Sequence, residues 1–147
     1  KLVVQGVQCP QDAIRIKSMG IDAIYVSNHG GRQLNAAPTA IDSLGQIRQA
    51  VGTNMPLIFD SGVRNGEHVI KALAMGADFV MLGRSAMYGL GAAGEQGLST
   101  VLDLIGHEAS TVMGLLGCRQ PAEIDSSCLA SEHGYLPIPV VSERADE

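Results

Sequence analysis

The hydrophobic and polar positions of this chain follow two different periods that alternate along its length. Short apolar runs are typical of buried strands, and four of them occur, at residues 2–4, 22–26, 56–59 and 79–82. Between them lie stretches in which apolar side chains recur every three or four residues, as on one face of a helix. After Thr39, for example, one face carries Ile41, Leu44, Ile47 and Val51. The pattern predicts four consecutive strand–helix units.

The ends of the predicted helices carry local signals. Pro10 stands at the first turn of the first helix, which is predicted to end at Gly20. Asn65 is a predicted N-cap for a helix that runs to Met75. After the fourth strand, a short helical piece precedes a long helix. The apolar face of that helix is formed by Leu98, Val101, Leu102, Ile105, Ala109, Val112, Met113 and Leu116.

Apolar strands separated by helices predict an α/β fold in which helices cover a parallel sheet. Two architectures fit this order, a doubly wound sheet and a (β/α)8 TIM barrel. A barrel needs eight units and about 250 residues, whereas this chain has 147 residues. Under the barrel interpretation the chain is therefore half of a domain. We predict a half-barrel over residues 1–124 and an exposed polar tail over residues 125–147, which contains Pro137 and Pro139.

Composition narrows the class of protein. Hydrophobic residues make up 46% of the chain and charged residues 17%, which is typical of a folded domain. The net charge of −5 and the lack of a Lys/Arg stripe argue against a nucleic-acid partner, and no apolar run reaches the ~18 residues of a membrane span. Cys9, Cys118 and Cys128 are scattered, so we expect reduced structural thiols in a cytoplasmic protein. No metal-ligand spacing occurs, and no metal is predicted.

Polar residues collect where the strands end, at residues 27–33, 60–64 and 83–84. In parallel α/β folds, functional groups gather at the C-terminal ends of strands. Each loop alone would be unremarkable in composition, but three in succession favour a site. His29 can act as a general base near neutral pH, and Arg32 offers a planar pair of donors suited to a carboxylate.

The later loops favour an anion such as phosphate. Arg64 and Arg84 supply positive charge, and backbone amides near Gly62 and Gly83 can approach a ligand closely. Barrels often bind phosphate at the loops after strands seven and eight. If these units are the second half of a barrel, the third and fourth strands of this chain are its seventh and eighth.

Residues 26–34, with the sequence VSNHGGRQL, resemble the signature of the FMN-dependent L-2-hydroxy acid oxidising family. That family includes glycolate oxidase, lactate oxidase and mandelate dehydrogenase. Supporting segments follow in the same order, so the resemblance extends over about residues 2–118. Residues 58–64 look closest to the lactate oxidase branch. The resemblance implies the C-terminal half of the barrel, FMN as cofactor, and oxidation of a lactate- or glycolate-like L-2-hydroxy acid to the 2-oxo acid.

The resemblance also implies roles for individual residues. His29 would take the proton of the substrate hydroxyl as the α-hydrogen passes to the flavin, whether as hydride or after a carbanion. Arg32 would bind the substrate carboxylate, and Ser27 would contact the flavin. Asp60 would bind hydroxyls of the ribityl chain. The residues implied around the ribityl and phosphate groups are Gly62, Arg64, Gly83 and Arg84.

The chain departs from the family pattern at three positions. Gln5 stands where the family has a lysine near flavin N1 and O2; a neutral donor there predicts slower flavin reduction or a lower potential. The alternative is that another cation takes its place. Asn65 replaces a frequent arginine and Ser85 a common proline, with little effect expected. The family's N-terminal half, which by resemblance carries the carboxylate partner of His29, is missing from the 147 residues.

Two other interpretations stay open. The chain could be a non-catalytic half-barrel remnant or interaction module, since open sheet edges favour pairing. Another phosphate-binding barrel enzyme is disfavoured by the spacing of His29 and Arg32. The expected partners are a small 2-hydroxy acid and either further copies of the chain or the missing N-terminal half.

Overall fold

The structure, a computed structural model, describes residues 1–130. Its single sheet has four parallel strands in the order β1-β2-β3-β4. The strands are β1 (Val3–Val7), β2 (Ala23–Val26), β3 (Leu57–Phe59) and β4 (Phe79–Val80). All four occur where the apolar runs predict them, although β1 extends further than its run and β4 is shorter. The predicted α/β class with a parallel sheet is confirmed.

Four helices alternate with the strands: α1 (Pro10–Ser18), α2 (Ala40–Val51), α3 (Gly66–Ala74) and α4 (Arg84–Leu116). Asn65 caps α3 as predicted, because its side-chain oxygen accepts a hydrogen bond from the His68 amide at 2.9 Å. Helix α4 is interrupted at Ala93 and Gly94, whose backbone angles are not helical. The predicted short helical piece and long helix are therefore the two segments of α4.

The hydrophobic core lies on one face of the sheet. It joins the strand side chains to α1, α2 and α3 through Val7, Ala13, Ile24, Val26, Leu44, Ile47, Leu57, Phe59 and Ala72. Alternate strand residues point to the opposite face, which no helix covers within residues 1–130: Tyr25 and Ile58 are half-buried there, and Phe79 is 59% exposed. Within residues 1–130 helices therefore cover the parallel sheet on one face only, and residues along each strand alternate between the covered and the open face.

The order of the strands bears on the two predicted architectures. In a doubly wound sheet the strand order reverses and helices cover both faces. Here the strands follow the chain sequentially, and α1, α2 and α3 share one core. The described part of the chain therefore lacks both marks of the doubly wound alternative.

Arg48 of α2 ties together the N-terminal ends of β3 and β4. Its guanidinium donates to the carbonyl oxygens of Gly52, Met55 and Gly76 at 2.6–2.8 Å and forms an ion pair with Asp78 at 2.6 Å. The same Asp78 carboxylate accepts the amide of Leu57 at 2.7 Å. This end of the sheet is thus a structural junction.

Three glycines allow close packing, one between α3 and α4 and two between the two segments of α4. Gly66, at the start of α3, lies against the backbone of Glu108 and Ala109 in α4, and its amide donates to the Glu108 carboxylate at 2.8 Å. Gly89 and Gly97 face each other across the interruption of α4. A β-carbon at any of these three positions would overlap neighbouring backbone.

The packed chain continues beyond the predicted boundary at residue 124. Ile124 is buried with Ile70 and Ala74 of α3, and Cys128 and Leu129 pack against the same cluster. Packing against α3 therefore continues to Leu129, although Asp125 and Ser127 between these contacts are exposed. The rest of the predicted tail, residues 131–147, lies outside the described residues.

The three cysteines are free thiols, each partly buried. Burial and the neighbouring Cys128 raise the pKa of the Cys118 thiol, which disfavours the reactive thiolate. Within residues 1–130, no helix is long and apolar enough to cross a membrane, and no group of three side chains is placed to hold a metal ion.

Candidate active site

The loops that follow β2 and β3 meet at the C-terminal edge of the sheet. Along β2, Ile24 and Val26 are buried in the core, so Tyr25 and then Ser27 point to the other face. Tyr25 pairs in register with Ile58 of β3, and Asp60 follows two residues later on the same face as Ile58. The side chains that end these two strands are therefore neighbours.

His29 lies in a tight turn, His29–Gly31, that is held by side-chain oxygens. The His29 amide donates to Ser27 Oγ at 3.1 Å, and the Gly31 amide donates to Asn28 Oδ1 at 3.2 Å. The amides on either side of His29 both donate to Ser61 Oγ at 3.2 Å. Every amide of the turn thus has an acceptor, and the two bonds to Ser61 cross the gap between the loops. His29 itself has a φ of +53°.

The imidazole of His29 is exposed at this edge of the sheet. Its ring nitrogens make no hydrogen bond within residues 1–130, and its Cε1 lies 3.7 Å from the point where a β-carbon on Gly6 would stand. A β-carbon at Gly6 would make only ordinary van der Waals contact with the ring, so the imidazole lies beside β1. The ring nitrogens are free to exchange a proton with a bound ligand.

Asp60 accepts one hydrogen bond on each carboxylate oxygen. Tyr25 donates its phenolic proton to Oδ2 at 2.9 Å, and Ser61 donates its hydroxyl proton to Oδ1 at 2.8 Å. Burial, together with the bond to Asp60 and its charge, raises the pKa of Tyr25 well above its usual value. Tyr25 therefore remains a protonated donor, and one chain of bonds runs from Tyr25 through Asp60 and Ser61 to the His29 turn.

Three arginines surround these loops in a chain whose net charge is −5. Arg84 donates to the carbonyl oxygen of Gly30 at 3.3 Å, and a β-carbon on Gly30 would lie only 2.9 Å from that guanidinium nitrogen. Arg32 and Arg64 are exposed, and their side chains form no hydrogen bond or ion pair within residues 1–130. Exposed guanidinium groups are suited to bind carboxylate or phosphate.

A cavity of about 550 Å³ opens between the two loops and the first turns of α2 and α3. Polar side chains on its wall include Asn28, Ser61, His68 and Arg84. Gly62 also lines it, with a φ of +84° and open space where a β-carbon would stand. Gly83, the residue before α4, has equally free surroundings. The backbone here can approach a ligand closely.

The structure brings four predicted site residues into one bonded arrangement: Ser27, His29, Asp60 and Arg84. The other residues of the later loops and Arg32 lie at the same edge without bonds to it. Gln5 lies on β1 opposite Tyr25, exposed, and its side chain makes no hydrogen bond within residues 1–130. Tyr25 and Ser61 were missed as site residues. The alternation along β2, which places Tyr25 two residues before Ser27, is the signal that could have indicated Tyr25.

Comparison with known proteins gives the family. The family model described as FMN-dependent dehydrogenase matches residues 1–131. The chain belongs to this family. An L-lactate oxidase of Lentilactobacillus hilgardii is 43% identical over 128 residues, which are 87% of this chain and 35% of that protein. An L-lactate dehydrogenase of Acinetobacter baylyi is 44% identical over 128 residues, 87% of this chain and 33% of its own length.

A solved structure of the same family supports the fold. A soluble mutant of the membrane-associated (S)-mandelate dehydrogenase from Pseudomonas putida superposes with a TM-score of 0.85 at 39% identity, covering 90% of this chain and 37% of that one. The chain thus spans about a third of the length of these members of the FMN-dependent dehydrogenase family.

Proposed function

We propose that this chain forms the part of an FMN-dependent 2-hydroxy acid oxidase or dehydrogenase that carries the catalytic base and the phosphate-binding loops. The observation that carries the proposal is the His29 turn, whose amides are held by Ser27 and Ser61 while the imidazole remains free. Relatives named lactate oxidase and lactate dehydrogenase support the substrate class. A lactate- or glycolate-like L-2-hydroxy acid is the proposed substrate.

The residues of this edge fit FMN. The unobstructed backbone at Gly62 and Gly83, flanked by Arg64 and Arg84, would hold the phosphate. Asp60 would accept ribityl hydroxyls through lone pairs that its protein partners leave free. Gln5 is exposed on the open face of the sheet, where it would contact the flavin ring without bringing a charge. Ser27, which is 1% exposed and accepts the His29 amide, would contact the flavin at the end of β2. When bound, FMN supplies the two-electron acceptor for the oxidation.

The residues of this chain would then bind the substrate carboxylate and accept the proton of the substrate hydroxyl. Arg32 would bind the substrate carboxylate with both prongs of its guanidinium, which fixes the orientation of the hydroxyl-bearing carbon. His29, three residues earlier in the same turn, would accept the hydroxyl proton on a ring nitrogen as general base. No residue within 1–130 bonds that ring, so its orientation depends on the turn and on the ligand.

We also propose that the sheet is the C-terminal half of an eight-stranded barrel. The sequential strand order, the single covered face and the two open edges support this arrangement. The loops after β3 and β4 would then occupy the position at which barrels often bind phosphate. The remaining strands would come from another segment or from a second copy of the chain.

The test compares His29→Gln with His107→Gln, an exposed histidine on α4 that does not line the cavity between the two loops. In the protein expressed from its own gene, His29→Gln is expected to retain FMN but to lose roughly 10²–10⁴-fold in the rate of flavin reduction by L-lactate or glycolate. His107→Gln is expected to match the wild type. Bleaching of the flavin absorbance in a stopped-flow instrument measures the rate, and equal rates for both variants would contradict the assignment.

The second candidate function is a non-catalytic half-barrel, favoured by the uncharged Gln5 at the site's edge. It predicts a folded protein that binds FMN without reduction by any L-2-hydroxy acid. In the catalytic alternative, Gln5→Lys accelerates flavin reduction because a positive charge stabilises the developing negative charge. An unchanged rate in Gln5→Lys would count against that role for position 5.

A further inference from the structure

We propose that Tyr25 is a positioning residue for the cofactor, acting through Asp60. Its hydroxyl orients the carboxylate that is to receive the ribityl hydroxyls of FMN. The inference rests on the proposed function, because it assigns a role within the same site. Tyr25 lies within β2 and so precedes the loops proposed to bind the substrate and the cofactor.

The geometry of two neighbouring strands carries the inference. Tyr25 is opposite Ile58 in the parallel register, and Asp60 follows Ile58 by two residues. The phenol reaches along the open face towards the C-terminal edge, and its oxygen lies 2.9 Å from Asp60 Oδ2. Asp60 is the only hydrogen-bond partner of this hydroxyl within residues 1–130. The hydroxyl therefore serves the carboxylate and no other group described.

The bonds made by Asp60 explain why positioning matters. An ionised carboxylate has about four lone-pair directions, and the torsion that turns it is soft. Tyr25 occupies one direction on Oδ2 and Ser61 one on Oδ1, so the carboxylate is fixed while an acceptor site on each oxygen stays free. Fixing an acceptor before the ligand arrives reduces the ordering cost of binding.

Packing on the open face does not by itself require a tyrosine at position 25. The other strand residues in register with Tyr25 beyond β1 are the apolar Ile58 and Phe79. A phenylalanine would keep the same ring and the same contacts at this position. Tyr25→Phe therefore removes the hydroxyl and little else.

The experiment titrates FMN into the apoprotein, prepared from the protein expressed from its own gene, and follows quenching of flavin fluorescence. Tyr25→Phe is expected to raise the Kd for FMN about three- to tenfold, the effect of one net hydrogen bond. Tyr88→Phe, which changes a 71% exposed tyrosine on α4, is the matched control and is expected to keep the wild-type Kd.

A double-mutant cycle separates action through Asp60 from a general structural effect. In an Asp60→Ala background, which removes the acceptor of the Tyr25 hydroxyl, Tyr25→Phe is expected to change the Kd by less than about twofold. Asp60→Glu provides a second route, because it keeps the charge but moves the carboxylate away from the phenol; the Tyr25→Phe penalty should again disappear. Thermal unfolding of each variant confirms that it is folded.

The outcomes distinguish this inference from the function on which it rests. An unchanged Kd in Tyr25→Phe, or a penalty of equal size in both Asp60 backgrounds, overturns the inference while FMN binding itself stands. A folded wild-type apoprotein that takes up no FMN overturns the proposed function together with the inference.

Discussion

At the scale of single residues, the site is held by two side chains whose backbones are strained. His29 and Ser61 are the non-glycine residues with positive φ in the described chain, at +53° and +81°. Such conformations cost about 1–3 kcal/mol each. The Ser61 hydroxyl offsets part of this cost, because it accepts two amides of the His29 turn and donates to Asp60. The two strained residues and the hydrogen bonds that stabilise them therefore lie together, at the proposed base His29.

Ser61→Ala keeps the positive φ of residue 61 but leaves the amides of Asn28 and Gly30 without their acceptor. We expect the free energy of unfolding to fall by about 1–3 kcal/mol, measured by urea denaturation. Ser61→Gly also loses the hydroxyl but tolerates the backbone conformation, so its loss should be smaller. Ser110→Ala, at an exposed position of α4, is the control. A larger loss in Ser61→Gly than in Ser61→Ala would contradict this account.

At the scale of elements, helix α4 turns back on itself through glycine. The interruption at Ala93 and Gly94 brings Gly89 and Gly97 face to face, where the two helical segments meet without room for a side chain. Gly66 makes a similar approach between α3 and α4. Glycine thus allows close helix packing at these positions, in addition to its role in the loops at the C-terminal edge of the sheet.

Gly97→Ala is expected to destabilise the protein by about 1–3 kcal/mol, because the new methyl group meets the backbone of Gly89. Gly106→Ala, in the same helix but with open surroundings, is expected to stabilise it by about 0.5–1 kcal/mol through helix propensity. Thermal unfolding of the two variants gives opposite shifts. Equal shifts would show that the segments do not pack through Gly97.

Much of this level of structure follows from local pattern. The four strands, the Asn65 cap and the two segments of α4 could be predicted, because periodicity and capping are properties of neighbouring residues. The bond between Tyr25 and Asp60 depends on the register of two strands and joins residues 35 positions apart in the chain. The packing of residues 124–129 onto α3 likewise depends on tertiary contact. The local sequence around these residues therefore could not predict the Tyr25–Asp60 bond or the packing of residues 124–129.

At the scale of the whole molecule, the sheet formed by the described residues, 1–130, has one face and two edges that no other described segment covers. Phe79 and Met81, at the β4 edge, are 59% and 41% exposed, and Leu2 near the β1 edge is 60% exposed. Unpaired strand edges with apolar side chains readily pair with another chain. The open face and the edges therefore expose apolar side chains that a further segment or another chain could cover, whereas the covered face is already packed by helices.

The 147-residue chain expressed alone is expected to self-associate, with a sedimentation coefficient that increases with concentration. Phe79→Lys should reduce this association, because a charge on an edge strand disfavours pairing. Leu115→Lys, on α4 at a position 83% exposed, is the matched control and should leave the association unchanged. A wild-type chain that sediments as a monomer at every concentration would contradict the expectation, as would an equal effect of both lysines.

The hydrogen bonds of Arg48 lie at the end of the sheet opposite the proposed site, and this separation bears on which substitutions the fold tolerates. The bonds of Arg48 to three carbonyls and to Asp78 secure the ends of β3 and β4 that lie farthest from the His29 turn. These bonds thereby stabilise one pole of the sheet, and the proposed chemistry lies at the other. Arg32 is exposed and its side chain forms no hydrogen bond within residues 1–130, so substitutions there are expected to leave the Arg48 junction intact, whereas substitutions of Ser61 are not neutral for stability.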